Sequence, residues 1–519
     1  MNNTRETSVS DAVSLSAAPS GSGKRFSPGY IRLQAFTLVA SVVTASCAGY
    51  PSSLSPVPQG TRAAVHQLSR EIIENSQAYG FDEHLADEIG PRLAGSANYT
   101  IAADWALQQF RQLGLVQVSG EDWLLPSTWE PVAGAEGQIL KPVSHELHIH
   151  AQGWSPSTPA GGIEGDVVHV KSMSVADLEQ QKSELVGAIA LVDEDSLRNT
   201  GGFEKSLAAD QRLQTLGVKG ILVPGGVNGI EDMGVMVPYG MIGPVPEAEI
   251  GREDVLLIRR LQARGPVSAR FSFTNNTRTN VQVPNVIAEI AGRELPDEVV
   301  IVNAHLDSWQ AGTGAQDDGT GVAMMLETAR AIMQLHRAPR RTIRFVLSGG
   351  EEQGDLGSIA YVRRHVAELS KIDAVIVVDS GSEPAVGWAV MGRNDELGSV
   401  GALKPVLREL GATGVTTNTD FIFNTDLAPF LVNGVPSLVL WTGLDKYNLL
   451  HHKASDTFDS VVKQDLDKDA AVVASTVYAI ADNEKPFAAH LSDQQVADML
   501  KGNGHLQEYE YLKAHALLP

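Results

Sequence analysis

From residue 283 onward the chain alternates apolar, β-branched runs with amphipathic ones, and this rhythm limits its fold more than any other feature. "VVIVNAHLD" is followed by "GVAMMLETARAIMQL", "RTIRFVLSG" by "SIAYVRRHVAEL", and "DAVIVVDS" precedes "PSLVLW" and "DAAVVASTVYAIADN". Strands this apolar on both sides cannot leave a face in water. They predict an α/β fold with a mixed, mainly parallel central sheet flanked by helices. Upstream, "TRAAVHQLSREIIENS" spaces Val65, Leu68, Ile72 and Ile73 on one helical face. "SANYTIAADWALQQFRQLG" does the same with Trp105, Leu107, Phe110 and Leu113, and the Gly/Pro-punctuated "EIGPRLAG" between them reads as a turn.

With 519 residues, two folded units are expected. Residues 119–282 carry short strands such as "HELHIHA", "GDVVHV" and "SARFSF" with little clustered chemistry. They predict a separate β-rich domain inserted into a catalytic domain made of residues 64–118 and 283–490. The stretch "LVGAIALVDED", followed by the helical "AADQRLQTLGVKGILVPGG", resembles the protease-associated domain. Residues 48–63 read as a Pro/Ser-rich linker and residues 491–519 as an amphipathic helical tail.

Residues 1–47 look like an export signal. Lys24, Arg25 and Arg32 precede the apolar run "AFTLVASVVTA", which is too short to span a bilayer, and small residues follow it. The ending "TASC" resembles a lipobox, in which Cys47 would become a lipidated membrane anchor; ordinary cleavage nearby is the alternative. Export to a bacterial envelope, in the periplasm or lipid-anchored, or secretion is the expectation. Cys47 is the only cysteine, so an internal disulfide and a thiolate-built zinc site are both excluded. A net charge of −22 argues against a nucleic-acid partner, which needs a basic face. The oligomeric state is open, a dimer included.

In open α/β sheets ligands bind beyond the carboxyl ends of the strands. Those ends carry His305 and Asp307 ("NAHLDSW"), Asp317 and Asp318 ("AQDDGTG"), Glu351 and Glu352 ("SGGEEQG"), Asp379 ("VVDSG"), and His451, His452 and Asp456 ("HHKASDT"). Each has a plain structural explanation, and the Asp317–Asp318 pair would suit the N-terminus of the next helix. Their recurrence at one edge of one sheet is harder to dismiss, because buried like charges repel unless a cation neutralises them. Imidazole and carboxylate donors without thiolate fit zinc, with manganese or cobalt as less suitable occupants. Five ligand candidates serve two ions if one carboxylate bridges, and such a pair clamps a shared hydroxide and polarises a carbonyl. A further carboxylate must move the proton, and Glu351–Glu352 offers one ligand and one base.

The ordered set "AHLDSW … AQDDGTG … SGGEEQG … VVDSG … HHKASDT", together with "GPRLAGSANY", resembles the co-catalytic dizinc exopeptidases, and within them the plasma glutamate carboxypeptidase-like peptidases. The resemblance spans roughly residues 64–490. It implies two Zn2+ ions per chain and peptide substrates. Asp317 would bridge the ions, His305 and Asp379 would complete one site, and Glu352 and His452 the other. Glu351 would be the general base, and Asp307 would orient an imidazole or tune the metal. The spacing to Asp456 favours His452 over His451 as the ligand. Some relatives carry a tyrosine where His451 stands, so either His451 or another residue such as Tyr447 would donate to the oxyanion, or His451 has a structural role alone.

The function this implies is an exported aminopeptidase or dipeptidase. A carboxypeptidase is the alternative, for which Arg393 in "MGRNDELG" would hold the substrate carboxylate. Glutaminyl cyclisation uses one zinc on a similar fold, and a non-catalytic binding protein would have lost ligands. The full ligand set argues against both.

Overall fold

An eight-stranded mixed sheet carries the strand ends of interest. Its strands are β1 (Val116–Ser127), β2 (Thr279–Ile290), β3 (Leu295–His305), β4 (Arg341–Ser348), β5 (Ile372–Val377), β6 (Ala385–Ala389), β7 (Gly414–Thr416) and β8 (Ser437–Thr442). Their spatial order is β1-β2-β4-β3-β5-β8-β6-β7. The middle strands β4, β3, β5 and β8 are mutually parallel, while β1, β2 and β6 join antiparallel. This computed structural model describes residues 52–193, 203–225, 234, 240–419 and 422–514. The segment around Cys47 lies outside the described residues, and among them no helix is long and apolar enough to cross a membrane.

Because side chains alternate along a strand, each apolar run feeds two cores. Val300, Val302 and Ala304 of β3 and Ala374 and Ile376 of β5 face one core. Val299 and Ile301 of β3 and Val375 and Val377 of β5 face the other. Helices α1 (Gln59–Asn75), α2 (Ala97–Gln112), α3 (Thr320–Gln334) and α5 (Lys463–Ala481) cover the first face, and α4 (Leu356–Arg364) packs on the second. On α1, Val65, Leu68 and Ile72 are buried as their spacing predicts, while Ile73 is half-exposed at the edge of that stripe.

The ends of the unit built on this sheet pack against it more closely than a linker and a tail would. Residues 52–58 are no free linker: Leu54 and Val57 are buried in the first core, and Ser55 bonds Asn483 in both directions. Residues 491–514 form helices α6 (Asp493–Asn503) and α7 (Leu506–Ala514), which bury Val496, Leu500, Tyr509 and Leu512 in the second core. Strand β1 also belongs to the central sheet, although the change of texture near residue 119 falls inside it. It is an edge strand with a largely exposed outer half, so its composition resembles the unit that follows.

Between β1 and β2 the chain builds a second eight-stranded sheet from strands lying between Glu136 and Ser272, with its own cores on both faces. The segments Val175–Gln180, Phe203–Thr215 and Arg252–Gln262 are helical, so this unit is mixed rather than purely β.

Phe345 of β4 is fully buried, with its ring 5.8 Å from that of Phe110 on α2, so it ties the central sheet to the N-terminal helices. Phe345→Ala is expected to destabilise the catalytic unit by about 3–5 kcal/mol, measured as a lowered denaturant midpoint by circular dichroism.

Candidate metal centre and active site

Strand register gathers the chemistry. His305, the last residue of β3, lies opposite Ser348, the last of β4, and Asn303 lies opposite Val377, the last of β5. The Glu351–Glu352 pair just beyond β4 and Asp379 just beyond β5 therefore emerge beside His305. Asp317 arrives on the loop that enters α3, and His451 and His452 on the segment after β8.

Asp317 stands at the centre. Its Oδ1 is 3.1 Å from His305 Nε2, and its Oδ2 is 3.3 Å from His452 Nε2 and 3.6 Å from His451 Nε2. Asp379 Oδ1 lies 3.8 Å from His305 Nε2, and Glu352 Oε2 lies 3.0 Å from His452 Nε2. His305, Asp317 and Glu352 thus bring donor atoms within 4.8 Å of one another, as do Asp317, His451 and His452. The two histidines part company at Glu352, which His452 reaches. His452 has a left-handed backbone (φ 58°), which lays its imidazole against that of His451 with centroids 3.6 Å apart and both facing Asp317. Positive φ at a non-glycine residue is strained, and such strain collects at functional sites.

Three contacts hold this geometry. Arg92, fully buried in the "GPRLAG" turn, donates from Nε to the Leu306 carbonyl (2.7 Å), from Nη1 to Thr313 (2.9 Å) and from Nη2 to Gly314 (2.9 Å). One guanidinium therefore grips both ends of the loop between His305 and Asp317, and its planar fork is what allows three carbonyls at once. Asp456 accepts from the backbone N–H of Gln316 (2.7 Å) and of Asp317 (3.2 Å), so it is the anchor of the Asp317 loop. Asp318, joined to Asp317 by a cis peptide, turns the other way and accepts from His305 N (3.2 Å) and Gly321 N (3.1 Å). Gly321 has to be glycine, since a Cβ there would come within 2.2 Å of both Asp318 Oδ1 and the Val378 carbonyl.

Electrostatics point to a cation. Burial and the neighbouring Asp317 push Glu352 up to about 8, against the pull of His452. Burial, then Asp379, Asp355 and Glu352, raise Glu351 well above the carboxylate range, with His305 opposing. Burial alone would lower His452, but Glu352 and Asp317 outweigh it and lift the imidazole to about 10. Burial and the adjacent His452 press His451 down to about 3. Apart from the nearby His451 and His452 imidazoles, Asp317 Oδ2 and both Glu352 oxygens are buried with no hydrogen-bond partner among the described residues. Buried carboxylates of this kind are destabilising unless paired or bound to metal. Two imidazoles and three carboxylates, with no thiolate, are the donor set zinc accepts, so these residues fit the ion.

One expectation changes. Arg393 is not a substrate binder: it is fully buried, bonded to Asp395, to the Val435 and Ala489 carbonyls, and close to Glu396. Asp307 lies beside His305, with its backbone carbonyl 3.0 Å and its carboxylate Oδ1 3.7 Å from His305 Nδ1, and Oδ1 also accepts from Glu351 N at 3.4 Å. Sequence reasoning missed Arg92 and the buried acids Asp82, Asp355 and Asp426. Arg92 lay in a stretch already set apart by its resemblance, whereas the acids carried no local signal.

The matches to known proteins agree with this geometry. The model of peptidase family M28 matches residues 285–477. Mouse carboxypeptidase Q is 31% identical over 410 residues, covering 77% of this chain and 85% of its own. The chain belongs to peptidase family M28. A probable lipoprotein aminopeptidase of Mycobacterium tuberculosis is 25% identical, over 85% of this chain and 92% of its own. Among solved structures, an M28 peptidase precursor from Shewanella amazonensis superposes with a TM-score of 0.72 at 29% identity, covering 83% of this chain and 99% of that one. A zinc aminopeptidase from Bacillus subtilis shares the fold, with a TM-score of 0.62 at 21% identity over 80% and 97% of the two chains. The chain is thus a zinc-dependent peptidase with a central mixed sheet and covering helices.

Arg92→Met leaves three loop carbonyls and the nearby buried Asp82 without their cation. The variant is expected to lose about 3–5 kcal/mol of stability and much of its bound zinc, read by denaturant unfolding and elemental analysis.

Proposed function

We propose that the peptidase is an exopeptidase that removes N-terminal residues or splits dipeptides. The observation that carries the reading is the divided carboxylate of Asp317, with one oxygen toward His305 and the other toward His452. A carboxylate placed this way suits a bridge between two ions, with His305 and Asp379 on one side and Glu352 and His452 on the other. When bound there, zinc supplies Lewis acidity toward the scissile carbonyl and acidifies the attacking water.

The chain's own residues do the rest. Glu351, next to Glu352 in the chain, is proposed to take a proton from water and return it to the leaving amine, a role for which it must be ionised once the neighbouring charges are balanced. The backbone carbonyl of Asp307 fixes the His305 tautomer that turns Nε2 toward Asp317. His451 is proposed as the donor to the oxyanion, supported by its partly exposed side chain and by its Nε2 lying 3.6 Å from Asp317 Oδ2. Tyr447 packs against it with centroids 5.1 Å apart and is the alternative donor.

Export is part of this reading, supported by the segment ending at Cys47 and by likeness to a protein named as a probable lipoprotein aminopeptidase. The second sheet, inserted between β1 and β2, is proposed to be protease-associated-like, supported by its strand–helix–strand order.

Glu351→Gln is expected to keep its zinc yet lose kcat by at least about a hundredfold, measured on aminoacyl-nitroanilides and dipeptides beside elemental analysis. Loss of zinc from that variant would reverse the roles of Glu351 and Glu352. His452→Ala should lower zinc content, whereas His451→Ala should keep zinc and lower kcat; equal zinc loss would refute the division between them. Zinc removal by a chelator should abolish turnover, and added zinc should restore it. A zinc-loaded protein that cleaves no free-amine substrate would sink the exopeptidase reading.

A further inference from the structure

Three tryptophans run from the second unit to the candidate active site. Trp129 and Trp154 lie with ring centroids 6.3 Å apart, Trp154 meets Trp309 edge-on at 5.8 Å and 77°, and Trp309 meets the His452 imidazole at 5.6 Å. With Leu93 they form a small apolar cluster separate from the larger cores. Two of the three indoles have their N–H satisfied: Trp129 donates to the Ser155 carbonyl and Trp154 to the Ser127 carbonyl, both at 3.1 Å.

Trp309 differs. It is 6% exposed, and its Nε1–H has no hydrogen-bond partner among the described residues. Trp309 is one of the residues lining the cavity shared with Asp317, Glu352 and His452. Packing against Trp154 and His452 would be met by phenylalanine, which buries no polar atom. An indole is favoured where its N–H finds a partner, and leaving one buried without a partner is unfavourable. The donor therefore suits an acceptor that arrives with the substrate.

We propose that Trp309 is a substrate-binding residue whose indole N–H donates to a carboxyl-derived oxygen of the residue that leaves the scissile bond, with the ring held in place by Trp154 of the second unit. This rests on the exopeptidase reading. The N-terminal residue of a peptide has only one backbone oxygen, that of the scissile carbonyl, which the metal centre and His451 claim. The next backbone oxygen belongs to the leaving residue, as an amide carbonyl in a longer peptide or as the terminal carboxylate in a dipeptide. The second unit is thereby part of the substrate site.

The test uses the full-length, zinc-loaded protein with three substrates: a dipeptide, its C-terminal amide, and the matching aminoacyl-nitroanilide, whose leaving group has no such oxygen. Trp309→Phe keeps the ring and removes the donor. Its KM should rise for the dipeptide about tenfold more than for the nitroanilide, with zinc content and unfolding midpoint at wild-type values. A parallel rise for the dipeptide amide identifies a carbonyl acceptor, and a rise confined to the dipeptide identifies the carboxylate. Trp154→Leu should shift the same ratio in the same direction. An equal change for all three substrates, or no change, overturns the assignment, as does zinc loss from Trp309→Phe, which would make the indole a support for His452. Calorimetric binding of a dipeptide with a reduced scissile bond to wild type and Trp309→Phe reads the donor without turnover. Failure of wild type to cleave the panel would therefore count against the exopeptidase reading, and equal binding by the two proteins against Trp309.

Discussion

The mutual repulsion of carboxylates buried at one sheet edge is the constraint around which the rest of the structure is arranged. Asp307, Asp317, Asp318 and Glu352 are all buried there, with Glu351 and Asp379 beside them. The acids of this region find relief in three ways. Asp318 and Asp456 take backbone N–H groups, Asp82 faces the Arg92 guanidinium, and Asp317 and Glu352 face imidazoles. Beyond these imidazole contacts, Asp317 Oδ2 and the Glu352 oxygens have no hydrogen-bond partner among the described residues, and they are the ones a zinc-type cation would use, so charge balance and metal binding are one requirement.

Parallel strands make this concentration of charge tolerable because their ends are rigid and in register. His305 is placed by β3 itself, while Asp317 reaches the site on a loop that would wander if unsupported. Arg92 from the N-terminal segment and Asp456 from the C-terminal one close on that loop from two sides. The site therefore draws on residues more than 350 positions apart, and the N-terminal helices pack on the same central sheet that carries it.

Much of this was legible in the sequence. The apolar runs from 299 to 377 named the strands, and the recurrence of His and acid at their ends named residues, among them His305, Asp317, Glu352, Asp379 and His452, that strand register brings to one edge. The outer boundaries were less legible, since half-exposed β1 reads like the unit it leads into and helices α6 and α7 look like a tail until their apolar faces meet the second core. Arg393 misled because a buried arginine has the same letter as a surface one, and only its carbonyl and carboxylate partners reveal a structural role.

The sequence alone determined the fold class, the chemistry of the donor set and the exclusion of thiolate ligation. Periodicity and residue type are local properties, and all three follow from them. Tertiary structure decided which histidine meets Glu352, which carboxylate faces two imidazoles, how Arg92 locks the loop, and that a tryptophan chain joins the second unit to the site. Those are distances between segments far apart in the chain, and they exist only after two cores have packed against one sheet.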